Sequence, residues 1–199
     1  MRSLKKLLAV LIALTLMASI MVVPAFAAES FKYEDEAKAL YDLGLFKGTS
    51  ATEYKPALDA RLERQEGAVL VLRLFNLEEE ANKMDEKEAK ALLTEKFKDA
   101  DEIGAWAVKA IAYAVKNEII NGRPDGKFAP KDPLLGKEFS KMILAELGQK
   151  YDFQTACADL AAVSDLTAAE AIAFNDKILI RDDVVGISFA SLAGTYADG

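Results

Sequence analysis

The chain has 199 residues, with 25 basic and 32 acidic side chains, no histidine and one cysteine. The acidic balance repels phosphate backbones at long range and reads against nucleic acid as a partner. Lack of histidine removes the commonest general base, the Ser-His and Cys-His nucleophile pairs and the usual zinc sets, so the reading is non-catalytic: no catalytic residues, no metal and no cofactor. A glycoside hydrolase could be built from two carboxylates, but nothing in the sequence marks a pair.

The first 27 residues carry a basic start (Arg2, Lys5, Lys6), an apolar run from Leu7 to Val23, and Ala25-Phe26-Ala27. That order is the pattern of a secretory signal peptide, with cleavage expected after Ala27 where Pro24 and small residues end the run. An N-terminal membrane anchor is the alternative, because the run approaches spanning length. With cleavage, 22 basic residues face 32 acidic ones, a net charge of −10, and the chain is secreted with no membrane association afterwards. Cys157 is alone, so no intrachain disulfide forms, and stability must come from packed apolar surface in one compact body.

From Phe31 onward the apolar spacing is mostly helical and strand alternation is almost absent, which predicts an all-α fold. A first unit, residues 28–77, runs as an apolar helix through Ala39-Leu40-Tyr41-Asp42-Leu43-Gly44-Leu45-Phe46-Lys47-Gly48, then a loop, then a second helix in RLERQEGAVLVLRLF. Residues 78–96 are highly charged and read as a linker or a solvated helix. A second unit, 97–149, repeats the pattern: Trp106, Ile111, Ala114, Val115, Ile119 and Ile120 form one apolar face, followed by NGRPDGKFAP and the helix LLGKEFSKMILAEL.

Gly122 is expected just past a helix ending at Ile120 or Asn121 as a left-handed stop, and Pro124-Asp125-Gly126 as a tight turn. Phe128 is spaced to return to the core, and Asp132-Pro133 reads as the cap of the next helix. Gly48 to Pro56 and Gly122 to Pro130 have the same spacing, with Tyr54-Lys55-Pro56 matching Phe128-Ala129-Pro130 and two extra residues in the first copy between proline and acid. A third, weaker copy spans 150–199, where Ala168–Leu179 matches Lys109–Ile120 and Arg181 onward matches Arg64 onward, without the glycine and aromatic-proline loop.

These residues resemble S-layer homology modules, whose pattern is F-x-D, W-A, G-I-I-x-G, D-G-x-F-x-P and I-T-R-A-E. The second copy supplies Phe97-Lys98-Asp99, Trp106-Ala107, Glu118-Ile119-Ile120-Asn121-Gly122, Asp125-Gly126-Lys127-Phe128-Ala129-Pro130 and Leu134-Leu135-Gly136-Lys137-Glu138. The first copy gives Leu43–Gly48 and Leu62-Glu63-Arg64-Gln65-Glu66, and the resemblance extends from about Glu34 to Leu192. It implies three helix-loop-helix repeats packed as a pseudo-threefold bundle, the third degenerate. It also implies a non-catalytic cell-wall anchor whose inter-repeat grooves bind an anionic, pyruvylated secondary polysaccharide of a Gram-positive envelope. Surface-layer proteins are further partners, and a structural surface-layer assembly role is the alternative.

Arginine suits a ketal carboxylate through its planar donor fork, while an aromatic wall covers the sugar face. Carried over, the family's arginine position holds Arg64, Gly136 and Arg181, and its acid position holds Glu66, Glu138 and Asp183 as supporting groups. Trp106, Lys137, Gly48 and Gly122 complete the ligand-binding set implied, the glycines through backbone donors. Packing alone is an equal account of Trp106, and Lys137 also reads as a solvated charge. The family's cap threonine is replaced by Glu63, Leu135 and Ile180, so the cap is expected to be lost in all three copies. No effector domain is visible before Gly199, so the module acts alone, displays partners noncovalently or begins something longer.

Overall fold

The computed structural model describes residues 31–50 and 52–197. The leader and its cleavage point after Ala27 lie outside the described residues. The described residues are all-α, with nine helices and two short 3-10 turns and no strand. The helices are α1 (Glu34–Asp42), α2 (Arg64–Leu74), α3 (Glu78–Asn82), α4 (Glu86–Lys96), α5 (Val108–Lys116), α6 (Gly136–Glu146), α7 (Ala156–Ala161), α8 (Ala168–Phe174) and α9 (Arg181–Ser191). Among the described residues no helix is long and apolar enough to cross a membrane.

Three helix starts are built alike and tie to one another. The first two N–H groups of an α-helix need partners from outside the helix. Arg64 and Gln65 of α2 donate to Asp132 and Pro130 (3.0 and 3.1 Å), Gly136 and Lys137 of α6 to Lys177 and Asn175 (3.0 and 2.9 Å), and Arg181 and Asp182 of α9 to Ala60 and Leu58 (2.8 and 3.0 Å). Each pair reaches the segment that precedes the next helix, and the third returns to the first, so the ring closes. At its centre Leu62, Leu134 and Leu179 are fully buried, with Leu134 N–H donating to Leu62 and Leu179 N–H to Leu134. Burial of each such side chain contributes about 1.5–3 kcal/mol.

The remaining helices pack around this centre. α5 lies on α2, α1 lies on α9, and α8 reaches α6 through α7. Residues 78–96 form α3 and α4, whose Ala81, Ala89 and Leu93 turn a narrow apolar seam inward while the acids other than Glu78 face out. Tyr33 fastens the chain's two ends: its N–H donates to Asp182 (3.0 Å), its hydroxyl to Glu170 (2.6 Å), and its ring lies against Gly186, where a Cβ would sit 2.5 Å from the ring.

Several local expectations change. α5 ends at Lys116, not Ile120 or Asn121, and the left-handed residue after it is Glu118 at φ 61. Ile119 N–H bonds Ala114 and Glu118 N–H bonds Val115, the paired closure that a left-handed residue after a helix permits. The matching residue after α1 is Gly44 at φ 75, so the stop lies four positions before Gly48 and Gly122. Asp132 does not cap α6, whose N-cap is Leu135.

The register of the first loop also shifts. Pro56, not Tyr54, occupies the place of Phe128: each carbonyl accepts an arginine Nε, and each is followed by a left-handed alanine, Ala57 (φ 49) and Ala129 (φ 56). Thr49 N–H to Lys55 then corresponds to Arg123 N–H to Lys127, both 2.8 Å, so the two extra residues lie inside the loop and not between proline and acid. The identical glycine-to-proline spacing is a coincidence of sequence.

The caps are half retained. Leucine and isoleucine have no side-chain acceptor, yet the acid of the first turn still accepts the N-cap N–H in all three helices: Glu66 from Glu63 (2.8 Å), Glu138 from Leu135 (3.1 Å) and Asp183 from Ile180 (3.0 Å).

A non-glycine residue in left-handed conformation costs about 1 kcal/mol. Glu118→Gly is therefore expected to stabilise the fold by about that amount, raising the thermal midpoint by roughly 2–4 °C, whereas Gly44→Ala lowers it. Parallel calorimetric melts check both signs.

Candidate functional site

Two crevices lie where the start of one helix meets a loop from another part of the chain. The first, of ≈ 540 Å³, opens between Arg64 at the start of α2, Gly122-Arg123-Pro124 of the second loop, and the first two turns of α6. Arg64 is only 5% exposed. Its Nε donates to the Phe128 carbonyl at 3.0 Å, its NH1 pairs with Glu138 at 2.7 Å, and its guanidinium lies 5.3 Å from the Phe128 ring centre. Phe128 is held by Asp99, which accepts the N–H groups of Phe128 and Ala129, both at 2.8 Å. Burial lowers the Arg64 pKa from its ordinary value, and the paired Glu138 offsets part of that.

Glu138 is the hub of this crevice, since it also accepts from Arg123 at 3.2 Å while capping α6. Arg123 pairs in addition with Asp132. Lys137 pairs with Asp176 at 2.6 Å and lies 5.4 Å from the Phe153 ring, which closes one wall. Lys141, one turn further along α6, has no ion-pair partner among the described residues.

The second crevice, of ≈ 480 Å³, gathers residues from five places in the chain: Lys47–Ser50 of the first loop, Glu66 and Arg73 of α2, Glu78 of α3, Trp106, and Arg181 of α9. Arg181 mirrors Arg64 geometrically, with Nε donating to Pro56 at 2.7 Å, NH2 to Lys47 at 2.6 Å, and the guanidinium 4.6 Å from the Phe46 ring centre. It differs in having only backbone acceptors. Among the described residues no carboxylate pairs with it, although it is 7% exposed, and burial lowers its pKa. Glu66 faces the same space but is engaged with the α2 cap. Arg73 and Lys47 both pair with Glu78, and hydrogen bonding from Arg73 chiefly holds that carboxyl at about 2. Trp106 stands on the rim, 60% exposed, presenting an aromatic face to solvent.

The start of α6 carries no arginine, and the surroundings of Gly136 show why. A Cβ there would lie 2.0 Å from the Phe174 carbonyl oxygen, because residues 175–180 join α8 to α9 directly and draw that carbonyl against α6. An arginine has no room at this position. The short third loop and the missing arginine are one steric fact.

The structure thus brings Arg64, Gly122, Lys137 and Glu138 to the first crevice, and Arg181, Gly48, Trp106 and Glu66 to the second. Asp183 joins neither: it caps α9 and pairs with Lys177 at 2.7 Å. Sequence reasoning passed over Arg123, Lys141 and Arg73. Arg123 directly follows Gly122, and Lys141 falls on the helical face of Lys137 and Glu138, so position alone would have found both. Among the described residues, no group of three or more potential ligands is placed to hold a metal ion.

Removing one partner of a buried ion pair leaves an uncompensated charge, at about 3–5 kcal/mol. Glu138→Ala is expected to destabilise by that amount, and Glu66→Ala, which loses only a cap bond, by about 1 kcal/mol. Gly136→Arg, which restores the arginine of the other two helix starts, costs about 1–3 kcal/mol or more by overpacking. Urea midpoints at constant m-value rank the three.

Comparison with known proteins agrees with this geometry in part of the chain. Residues 96–140, which include Asp99, Trp106, the second loop and the start of α6, match the S-layer homology domain family. The surface-layer 125 kDa protein of Lysinibacillus sphaericus is 32% identical over 111 residues, covering 54% of this chain and 8% of that protein.

Proposed function

We propose that the chain is a non-catalytic anchor that holds an anionic polysaccharide of the cell wall in the two crevices between its units. The units are residues 28–77, 97–149 and 150–199, joined by the helical segment 78–96, and the protein acts outside the cell after removal of residues 1–27. The single observation that carries this reading is Arg181: a nearly buried guanidinium satisfied only by two backbone carbonyls, open to a crevice with an exposed tryptophan at its rim. A buried cation without a counter-charge is costly, and an incoming carboxylate supplies the missing partner. The indole face of Trp106 covers the C–H face of a sugar.

The family match supports this reading, as does the surface-layer name of the relative. A ketal carboxylate such as that of a pyruvylated terminal sugar fits the chemistry: a planar acid for the guanidinium and a methyl-bearing ring for the apolar wall. In the first crevice Arg64 builds the wall by clamping Phe128 and Glu138 together. Gly48 and Gly122 line the second and first crevices, where their backbone N–H groups add uncharged donors. Surface-layer proteins are further partners on this reading.

Purified cell-wall sacculi, before and after chemical stripping of the secondary polymer, provide the test. Sedimentation of the chain with intact sacculi and its release on stripping are expected. Trp106→Ala, at an exposed position, is expected to weaken binding roughly tenfold without moving the thermal midpoint, the scale of a lost aromatic contact of about 1–1.5 kcal/mol. Undiminished sedimentation with stripped sacculi would overturn the polysaccharide reading in favour of protein-protein assembly.

A further inference from the structure

We infer that Lys141 is the cation that meets the acid group of the polysaccharide in the first crevice, and that Arg64 serves there as a positioning residue. This inference rests on the proposed function. The accounting of charges in the crevice carries it. Arg64 is paired with Glu138, Arg123 with Asp132 and Glu138, and Lys137 with Asp176. Those cations are already neutralised by the protein. Lys141 lines the same ≈ 540 Å³ space, is partly buried, and has neither an ion pair nor a hydrogen bond among the described residues. Ile119, Ile120 and Met142 line the same crevice and make its walls largely apolar, so an arriving anion meets the ammonium in surroundings less polar than bulk water.

Arg64 has the opposite situation. Its Nε and NH1 are committed to Phe128 and Glu138, and its plane is stacked over the Phe128 ring. Turning it toward a ligand would take the side-chain donor from the Phe128 carbonyl and the closer of two guanidinium partners from Glu138. Burial, and next the neighbouring Arg64 charge, lower the pKa of Lys141. An acid bound beside it raises that pKa again, so affinity declines as pH rises through the lowered value. The charged groups around the crevice are Arg64 from α2, Arg123 from the second loop, and Lys137 and Glu138 from α6.

Polymer released from Gram-positive sacculi, immobilised native or with its carboxylates converted to methyl amides, separates acid recognition from sugar recognition. Lys141→Met is expected to weaken binding to native polymer about tenfold, the equivalent of one charge-assisted contact of about 1.4 kcal/mol, and to amidated polymer less than about twofold. Lys141→Arg restores native binding and removes its decline at alkaline pH, since guanidinium stays charged. Arg64→Lys lowers the melting midpoint and weakens native and amidated binding alike. Wild-type protein that ignores native polymer sinks the proposed function, and this inference with it. Wild-type protein that binds while Lys141→Met binds equally well, or loses both polymers equally, overturns the Lys141 assignment alone.

Discussion

The structure depends on a closed circuit of backbone hydrogen bonds in which each of three helix starts is completed by carbonyls of the segment leading into the next. An α-helix cannot satisfy its own first N–H groups, and here the partners come from another part of the chain at matched offsets. The arrangement fixes the angle at which each helix enters, and so decides where its first side chain points. At α2 and α9 that side chain is an arginine, an unfavourable charge at the positive end of a helix. The adjacent loop offsets this with carbonyl oxygens at Phe128, Pro56 and Lys47, and with Glu138 beside Arg64. The crevices are therefore a consequence of how the bundle closes.

The all-α class was legible in sequence because it depends on local periodicity. Loop register was not. Tyr54-Lys55-Pro56 and Phe128-Ala129-Pro130 look equivalent as strings, but equivalence is set by which carbonyl meets an arginine Nε, and that makes Pro56 the partner of Phe128. The aromatic support for Arg181 comes instead from Phe46, earlier in the chain. Glu118 escaped notice because a left-handed glutamate is not announced by residue type, whereas Gly44 in the same role is. Of the site, the two arginines and Trp106 were legible through a resemblance. The pairing of every cation but Lys141 in the first crevice could be read only from distances.

On the proposed reading an acidic protein accommodates an acidic polymer, which requires its charges to be sorted in space. Apart from Glu78, the acids of α3 and α4 face solvent, where salt screens them over about 8–10 Å. The crevice cations sit closer to any occupant than that length, and partial burial strengthens their contacts relative to the exposed acids. Net charge therefore governs long-range approach and solubility, while the local cation count governs what can be held. Glu138 shows the sorting in miniature, because one carboxylate neutralises two guanidinium groups and leaves the helix with a lysine to spare.

On the proposed reading the start of α6 sets the valency. Phe174 O occupies the space that a side chain at residue 136 would need, so shortening the third loop and losing the arginine cannot be separated. The two crevices that remain differ in character: one is largely apolar with a single unmatched ammonium, the other carries hydroxyls, an unmatched guanidinium and an exposed indole. A polymer with repeating acidic sugars, on the proposed reading, can engage both from one chain. Engagement at the first raises the effective concentration at the second, so two modest contacts reach an avidity that neither attains alone. The gain requires the crevices to keep a fixed separation, which is what the closed circuit of helix starts enforces. A variant that loosened the circuit while leaving both crevice linings intact would lose more affinity than either lining alone accounts for.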